Sequence, residues 1–393
     1  MCIIFVLYQV HPIYPLIIAS NRDETLDRPT ESMKLRISVS NNDASEKKNK
    51  GLDTTEVDNA NTDKEINTQH DEEHRQGRRR RSSYLAGKDL VCGGTWFALD
   101  VSSMKVDLDD GKNTNYAADC SSKNVDDTKN SESNNSAKQS LLRWIAITNY
   151  REEEQHGRPS RGGLLTEYIQ ATNNNHDCSK VTAQSFVSEL QEKGQQYNGF
   201  NVLVGDDMGI YYYGNRSVVQ DEKNDPEDTA SPPPTATVQP LPPGIYGLSN
   251  ALLDTPWPKV QRGKELLQQL LHKEQQKHHE TQSNPDNDND DNSSLKQFHE
   301  ELMIILTDKT QPTHDSSLPN TGIGVTSERH LSSIFVPEFT FMGKKYATRS
   351  STSVVVDGKG GLSVLERSWI PEVVDEWFCI ERGFDVDDAC HVG

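Results

Sequence analysis

The chain has 393 residues, a formal net charge of -19 and a hydrophobic fraction of 33%, which is low for a protein of this length that is packed throughout. The acidic excess argues against a nucleic-acid partner, because phosphate binding needs lysine and arginine clustered on a folded face. The basic run Arg78 to Arg81 lies in a tract rich in Ser, Asn and Asp, and we interpret it as a solvated loop.

The six cysteines lack the close Cys-x-x-Cys spacing of zinc or redox motifs, so we predict no metal site and expect free thiols in a reducing compartment. The segment Met1 to Ser20 is apolar but lacks the basic start of a signal peptide. No segment reaches the ~18 continuous apolar residues that a transmembrane helix needs. We therefore expect a cytoplasmic protein without a transmembrane segment.

The chain opens with two short runs of β-branched and aromatic residues, Cys2 to Tyr8 and Leu16 to Ser20, on either side of a turn that contains prolines. This pattern predicts a buried β-hairpin. Further strands are predicted after the glycines Gly93 and Gly94 and over Trp144 to Thr148. Two more hairpins are predicted, at Asn201 to Tyr213 and at Tyr346 to Arg367.

Helical spacing of apolar residues recurs between residues 163 and 307. The predicted helices cover 163–171, 182–195, 258–272 and 295–307, the third with a proline at its start. Strand pairs, then helices, then strand pairs indicate an α/β (α+β) protein, with mainly antiparallel sheets covered by helices.

Four polar tracts interrupt these elements, at about 38–87, 106–139, 217–243 and 275–293. Such tracts bury too little apolar surface to offset the entropy lost on ordering. We predict that they are disordered insertions in one domain spanning residues 1–393.

Cys2 is the most informative candidate for chemistry. Aminopeptidases remove Met1 when the next side chain is small, which would leave the thiol and a free α-amino group on one residue. An α-amino group titrates near ~7.7–8.0 and can accept a proton at neutral pH. The alternative is an inert core thiol, because free cysteine is commonly buried.

Polar residues at strand ends strengthen the first interpretation. Asn21-Arg22-Asp23-Glu24 directly follows a β-run, with Arg28-Pro29 close behind. A surface turn with local salt bridges is the alternative, since exposed ion pairs are common and weak.

An ordered series of motifs resembles the NRDE family, the family of Transport and Golgi organisation protein 2, over nearly all the sequence outside the insertions. These motifs are Met1-Cys2-Ile3-Ile4, Asn21-Arg22-Asp23-Glu24 with Arg28-Pro29, Gly93-Gly94-Thr95-Trp96, Thr148-Asn149-Tyr150, Tyr197-Asn198-Gly199-Phe200-Asn201, Tyr213-Gly214-Asn215-Arg216, Gly247-Leu248-Ser249-Asn250-Ala251 with Thr255-Pro256-Trp257, and Thr348-Arg349-Ser350.

That family is similar to N-terminal-nucleophile hydrolases of the cholylglycine hydrolase and penicillin V acylase group, which implies a four-layer αββα sandwich. The resemblance implies that Cys2 is the nucleophile and its own amine the base, with Arg22 and Asp23 orienting the two. Arg22 and Asp23 are adjacent here, whereas the hydrolase group separates them. Their side chains would point to opposite faces of an extended strand.

The same resemblance places Asn149 and Asn250 near the oxyanion, where amide N–H groups suit developing charge, and Arg349 in the polar floor of the site. It requires no cofactor. It implies a cellular role in Golgi organisation and protein secretion or trafficking, with association with the Golgi or mitochondria and handling of a small-molecule, acyl-lipid or haem ligand.

Two functional classes therefore stay open. One is a cysteine amidohydrolase that attacks an amide or related acyl bond through Cys2, and the other is a binder that uses the same pocket without catalysis. A haem ligand would need an axial residue, and the sequence does not rank His11, His299 and His330 for that part.

Overall fold

The computed structural model of the chain describes residues 2–39, 81–102, 104–107, 142–171, 181–216, 238–283 and 291–382. The strands in these ranges are β1 (Cys2–Tyr8), β2 (Leu16–Thr25), β3 (Thr30–Val39), β4 (Arg81–Asp89), β5 (Phe97–Asp100), β6 (Met104–Asp107), β7 (Trp144–Asn149), β8 (Phe200–Asp206), β9 (Gly209–Gly214), β10 (Val238–Leu241), β11 (Gly244–Leu248), β12 (Phe339–Phe341), β13 (Lys344–Val356), β14 (Leu362–Ser368) and β15 (Val374–Arg382). The α-helices are α1 (Gly163–Gln170), α2 (Ala183–Lys193), α3 (Pro258–Ser283), α4 (Asp291–Leu306) and α5 (Val325–His330).

The strands form two sheets, and all of the pairings between described strands are antiparallel. The first sheet has the order β11-β1-β2-β13-β14-β15-β6, with β12 paired to β13. The second sheet has the order β10-β9-β8-β7-β5-β4-β3. The amino-terminal hairpin therefore lies inside the first sheet and not at its edge, which explains why its apolar runs are almost continuous.

The predicted buried hairpin is confirmed, and its two faces enter two different cores. Ile4, Val6 and Tyr8 pack against the second sheet in the core between the sheets. Ile3 and Phe5 lie on the opposite face, in the core beneath α3 and α4. Since successive strand residues alternate between faces, a run that is apolar at every position can fill both cores.

Three apolar cores separate four layers. The core between the sheets holds the fully buried Trp144 together with Leu203 and Val354. A second core lies between the outer face of the second sheet and α1 and α2, and a third lies between the outer face of the first sheet and α3 and α4. The helix–sheet–sheet–helix order confirms the predicted α+β sandwich.

The predicted insertions extend too far at their ends. The range 38–87 runs into β3 and into β4, 106–139 into β6, 217–243 into β10, and 275–293 into α3 and α4. Apart from residues 242–243, which follow β10, the remainder of each predicted insertion lies outside the described residues. Composition set these limits too wide because polar residues such as Ser83 become buried when a strand pairs on both edges, as β4 does with β3 and β5.

Sequence patterns assigned no strand to β3, β11, β12 or β15. β11 consists of Gly-Ile-Tyr-Gly-Leu and β12 has three residues, so neither carries a periodic signal. Both are recruited by neighbouring strands, β11 by β1 and β12 by β13. Pairing with an existing strand decides these segments, since strand propensity is weak and depends on context.

Helix α3 rests directly on the first sheet at a glycine. An added Cβ at Gly263 would lie 2.0 Å from Cζ of Phe5, and Phe5 is fully buried. The close approach of helix and sheet therefore requires a residue without a side chain at this position.

We predict that Gly263→Ala lowers the free energy of unfolding by about 1–3 kcal/mol, because overpacking against an immobile ring outweighs the helix propensity gained. Gly163→Ala is the matched control, since an added Cβ at that helical glycine meets no atom within 4 Å. Urea denaturation of both variants measures the effect, and equal midpoints for the two would contradict the packing argument.

Candidate functional site

The register of β1 and β2 brings the first two residues of the candidate site together. Cys2 lies opposite Arg22 in the β1–β2 pair, and both side chains share the face of Ile4, which looks toward the second sheet. Cys2 is a half-buried free thiol, whereas Arg22 is 6% exposed. A partly exposed thiol beside a cation is the setting in which nucleophilic cysteines are found, so Cys2 is the candidate nucleophile of the site.

The guanidinium of Arg22 is held by an aromatic ring and an acid. Its Cζ lies 4.2 Å from the centroid of the Trp96 ring, and its Nη2 lies 3.8 Å from Oε2 of Glu24. Trp96 is placed by the predicted glycine turn, where an added Cβ on Gly94 would lie 2.7 Å from Cα of Gly162. The turn thus allows two backbone segments to touch and brings the second sheet's Trp96 over the first sheet's Arg22.

Asp23 lies on the other face of β2, as the adjacency of the two residues predicted. It is 1% exposed, and its Oδ1 accepts a hydrogen bond of 2.6 Å from Oγ1 of Thr348. The hydroxyl of Tyr346 donates to the main-chain oxygen of Asp23 at 2.8 Å. Burial raises the pKa of Asp23, and the nearby charge of Lys259 opposes that rise.

Asn21, the first residue of the predicted signature, has a structural task. Its Nδ2 donates to the main-chain oxygens of Leu306 and Ile334 at 2.8 and 2.9 Å. The hydroxyl of Ser351 donates to Oδ1 of Asn21 at 2.6 Å. Asn21 therefore ties the end of α4 to the first sheet, which fixes the backbone that carries Arg22 and Asp23.

The structure adds Lys259, which the sequence reasoning missed. It is the second residue of α3 and is 1% exposed. Burial lowers the pKa of Lys259 to about 8, and the charge of Asp23 opposes that shift. One signal was available, because a lysine in the first turn of a helix stands against the helix dipole and requires a reason.

Both predicted asparagines are joined to Cys2 by a chain of hydrogen bonds. The hydroxyl of Ser249 donates to the main-chain oxygen of Cys2 at 3.0 Å. Nδ2 of the neighbouring Asn250 donates to the main-chain oxygen of Asn149 at 2.8 Å. Asn250 is buried and the side chain of Asn149 is exposed, so Asn250 is the better fixed of the two.

Arg349 lies at the bulge where the β13–β2 register shifts between Thr348 and Ser350. Its Nη1 donates to the main-chain oxygens of Thr25, Leu26 and Arg28 at 3.2, 3.3 and 2.6 Å. Burial and the charge of Arg22 lower the pKa of Arg349. The guanidinium thus fixes the turn after β2.

A buried ion pair borders the site beside Asn250. Nη1 of Arg151 lies 2.6 Å from Oε2 of Glu328, and the Arg151 guanidinium lies 4.7 Å from the centroid of the Trp257 ring. The main-chain N–H of Arg151 donates to the main-chain oxygen of Asn250 at 2.7 Å. This pair connects α5 and the end of β7 to the asparagine chain.

Histidines that were candidates for a haem ligand have other contacts. The ring nitrogens of His299 lie 2.7 and 2.9 Å from the hydroxyls of Ser353 and Ser363. Nδ1 of His11 accepts from two main-chain N–H groups, and His330 stacks on Phe339. In the described part of the chain, no group of three or more His, Cys, Asp or Glu side chains is placed to hold a metal ion.

Glu366 is a second buried carboxyl on the face shared with Cys2 and Arg22. Its Oε1 accepts from the main-chain N–H of Met33 at 2.7 Å, and its Oε2 from the hydroxyl of Thr352 at 3.2 Å. Burial raises the pKa of Glu366 to about 6. The contact with Met33 joins β14 of the first sheet to β3 of the second.

We predict that Glu366→Gln stabilises the protein at pH 7.5 by roughly 1–2 kcal/mol and has little effect near pH 4.5. A raised carboxyl pKa means that the folded state loses stability as the pH rises through about 6. Without the charge, glutamine can accept from the main-chain N–H of Met33 through its oxygen and donate to the hydroxyl of Thr352 through its nitrogen. Thermal melts across this pH range measure the difference. Glu372→Gln, at an exposed acid, is the control, and a pH-independent gain would contradict the argument.

The described helices include none that is both long enough and apolar enough to cross a membrane.

Comparison with known proteins gives one family and several relatives. A family model described as Transport and Golgi organisation 2 matches residues 1–46 and 136–371. A mouse protein named Transport and Golgi organization 2 homolog is 25% identical over 241 residues, which cover 59% of this chain and 70% of the mouse protein. The human homolog is 27% identical over 239 residues, with the same two shares. The bovine homolog is 26% identical over 240 residues.

Proposed function

The chain belongs to the Transport and Golgi organisation 2 family, and from that premise we propose that it acts in Golgi organisation and protein trafficking through acyl-group chemistry at Cys2. The cellular part of the proposal rests on the names of its relatives. The molecular part rests on one observation, the free thiol of Cys2 lying opposite the buried cation Arg22 in the β1–β2 pair.

In the proposed reaction, Met1 is absent and the α-amino group of Cys2 takes the thiol proton. The sulfur attacks the carbonyl carbon of an amide or related acyl compound, so that a C–S bond forms and the carbonyl oxygen becomes an oxyanion. Collapse of this intermediate breaks the bond to the leaving group, which takes the proton from the ammonium. Water then hydrolyses the thioester and regenerates the thiol.

Neighbouring residues support this sequence of steps. The Nδ2 of Asn250 carries a second hydrogen beyond the one given to Asn149, and an amide N–H suits a developing oxyanion. Ser249 fixes the main chain of Cys2. Asp23 lies on the opposite face of β2 from Arg22, so the proposal gives Arg22 to the thiol and Asp23 to the amine.

Binding without catalysis is the second candidate, with an acyl lipid or haem as the cargo. An acyl chain is the better suited of the two, because the sheet face that carries Cys2 is apolar, with Ile4 and Val6 on it, and apolar side chains supply hydrophobic contact. For haem, His299 is the least suited axial residue, since both of its ring nitrogens contact serine hydroxyls.

The test is to incubate the purified full chain with decanoyl-p-nitroanilide and follow p-nitroaniline release together with peptide mass spectrometry. We expect an amino-terminal Cys2, a decanoyl adduct on that residue and a burst of product. Cys2→Ala abolishes both adduct and burst, whereas Cys92→Ala at an exposed thiol leaves them unchanged.

Retained Met1, or product release that survives Cys2→Ala, would overturn the catalytic proposal. Binding of decanoate to both wild type and Cys2→Ala, without any adduct, would instead support the second candidate. Isothermal titration calorimetry with decanoate separates these two results.

A further inference from the structure

Asn250 is bonded twice to the segment 149–151 at the end of β7. Its Nδ2 donates to the main-chain oxygen of Asn149 at 2.8 Å. Its main-chain oxygen accepts from the main-chain N–H of Arg151 at 2.7 Å. Because one segment bonds both the side chain and the main chain of Asn250, the position of the Asn250 amide follows the position of that segment.

The segment is anchored to the second sheet on either side of Arg151. Asn149 lies opposite Phe200 in the β7–β8 pair. Nε of Arg216, which follows β9, lies 2.6 Å from Oε2 of Glu152. Both contacts fix the segment relative to the second sheet.

The side chain of Arg151 reaches in the other direction, to an element packed on the first sheet. Its Nη1 lies 2.6 Å from Oε2 of Glu328 on α5. Val336, which follows α5, packs with Tyr346 of β13. The ion pair therefore connects the end of β7 to the first sheet, next to Asn250.

Both charges of this ion pair are enclosed. The Arg151 side chain is 8% exposed and the Glu328 side chain 3%. The guanidinium lies 4.7 Å from the centroid of the Trp257 ring. Oε1 of Glu328 accepts from the main-chain N–H and the hydroxyl of Thr321 at 2.9 and 2.5 Å. Burial lowers the pKa of Arg151, and the charge of Glu328 opposes that shift.

Two other contacts near Asn250 do not replace those of Arg151. Nδ2 of Asn201 donates to the main-chain oxygen of Ala251 at 2.9 Å, so it acts on the neighbouring residue. Oγ of Ser249 lies 3.4 Å from Oδ1 of Asn250, which is long for a hydrogen bond between oxygens.

Stability alone does not account for a buried ion pair. The free energy of removing two charges from water is about as large as the attraction gained, and two apolar side chains of similar size are often at least as stabilising. A charged hydrogen bond defines a distance and a direction more closely than apolar contact does. The Arg151–Glu328 pair is therefore suited to fix a position.

We propose that Arg151 is a positioning residue of the thiol site, whose ion pair with Glu328 fixes the Asn250 amide where it can donate to the oxyanion. The consequence for acyl transfer rests on the function proposed for Cys2 and Asn250. The fixation of Asn250 itself can be measured without any substrate.

The experiment compares wild type with Arg151→Met, Glu328→Met and the double variant that carries both changes. The matched control is the double variant Lys273→Met with Glu301→Met, which removes an ion pair of 2.6 Å between α3 and α4. Three quantities are measured on the full chain. They are the urea midpoint, the hydrogen-exchange rate of the main-chain N–H of residue 151 corrected for its intrinsic rate, and the rate of decanoyl adduct formation on Cys2 from decanoyl-p-nitroanilide.

Each single variant leaves a buried charge without its partner, so we expect a lower urea midpoint, whereas the double variant returns close to the wild-type midpoint. In that double variant we expect exchange at residue 151 to be about tenfold faster than in wild type. We expect adduct formation at saturating substrate to fall by about 10–100-fold, with KM unchanged, because the oxyanion donor is misplaced. The control double variant changes neither rate.

A double variant that regains the wild-type midpoint, exchange rate and adduct rate overturns the inference, since the ion pair would then serve stability alone. Slower adduct formation without faster exchange also overturns it, because the effect would not act through Asn250. Should the double variant lose its cooperative unfolding, Glu328→Gln makes the same comparison with a side chain of nearly the same shape and no charge.

The two rates also separate this inference from the proposed function. A wild type that forms no decanoyl adduct rejects the acyl chemistry, and the exchange rate then decides whether the ion pair fixes Asn250. Adduct formation in wild type that is equally fast in the double variant, despite faster exchange at residue 151, retains the acyl chemistry and rejects the positioning role of Arg151.

Discussion

The antiparallel register of β1 and β2 is the constraint on which the site depends. It places Cys2 opposite Arg22 and, because strand residues alternate between faces, sends the Asp23 side chain to the other side of the same sheet. A shift of one residue would exchange these faces. The register is secured because Ile4 and Val6 fill the core between the sheets while Ile3 fills the core beneath the helices.

Polar groups collect where these apolar strands end, and burial governs their behaviour. Desolvation is the first cause of the raised pKa values of Asp23 and Glu366 and of the lowered pKa of Lys259. Each shift means that the charged form of the group is less favourable inside the folded protein than in water. The three large apolar cores offset this cost, which allows ionisable groups to remain buried inside the sandwich.

The charged groups of the site lie on both faces of the first sheet. Arg22 lies opposite Cys2 on the face that looks toward the second sheet, whereas Asp23 lies on the other face of β2. Asn250 and Ser249 hold the backbone around the thiol. The acyl chemistry proposed for Cys2 requires that both a thiolate and an oxyanion be stabilised, whereas binding without catalysis requires neither.

The sequence by itself determined the elements with strong periodicity and the residue types of the site. The amino-terminal hairpin, the helices α1 to α4 and the hairpins β8–β9 and β13–β14 were predicted because their apolar residues repeat at the strand or helix period. The ordered motifs gave the family, and the adjacency of Arg22 and Asp23 gave their opposite faces.

Only the tertiary structure decided which distant groups meet. Contacts between segments far apart in the chain decide the pairing of β11 with β1, the limits of the polar tracts, the turn held by Arg349 and the burial of Lys259. The local pattern of apolar residues indicates which face of a segment is buried. It does not indicate which other segment packs against that face, because packing and desolvation bring together groups that lie far apart in the sequence.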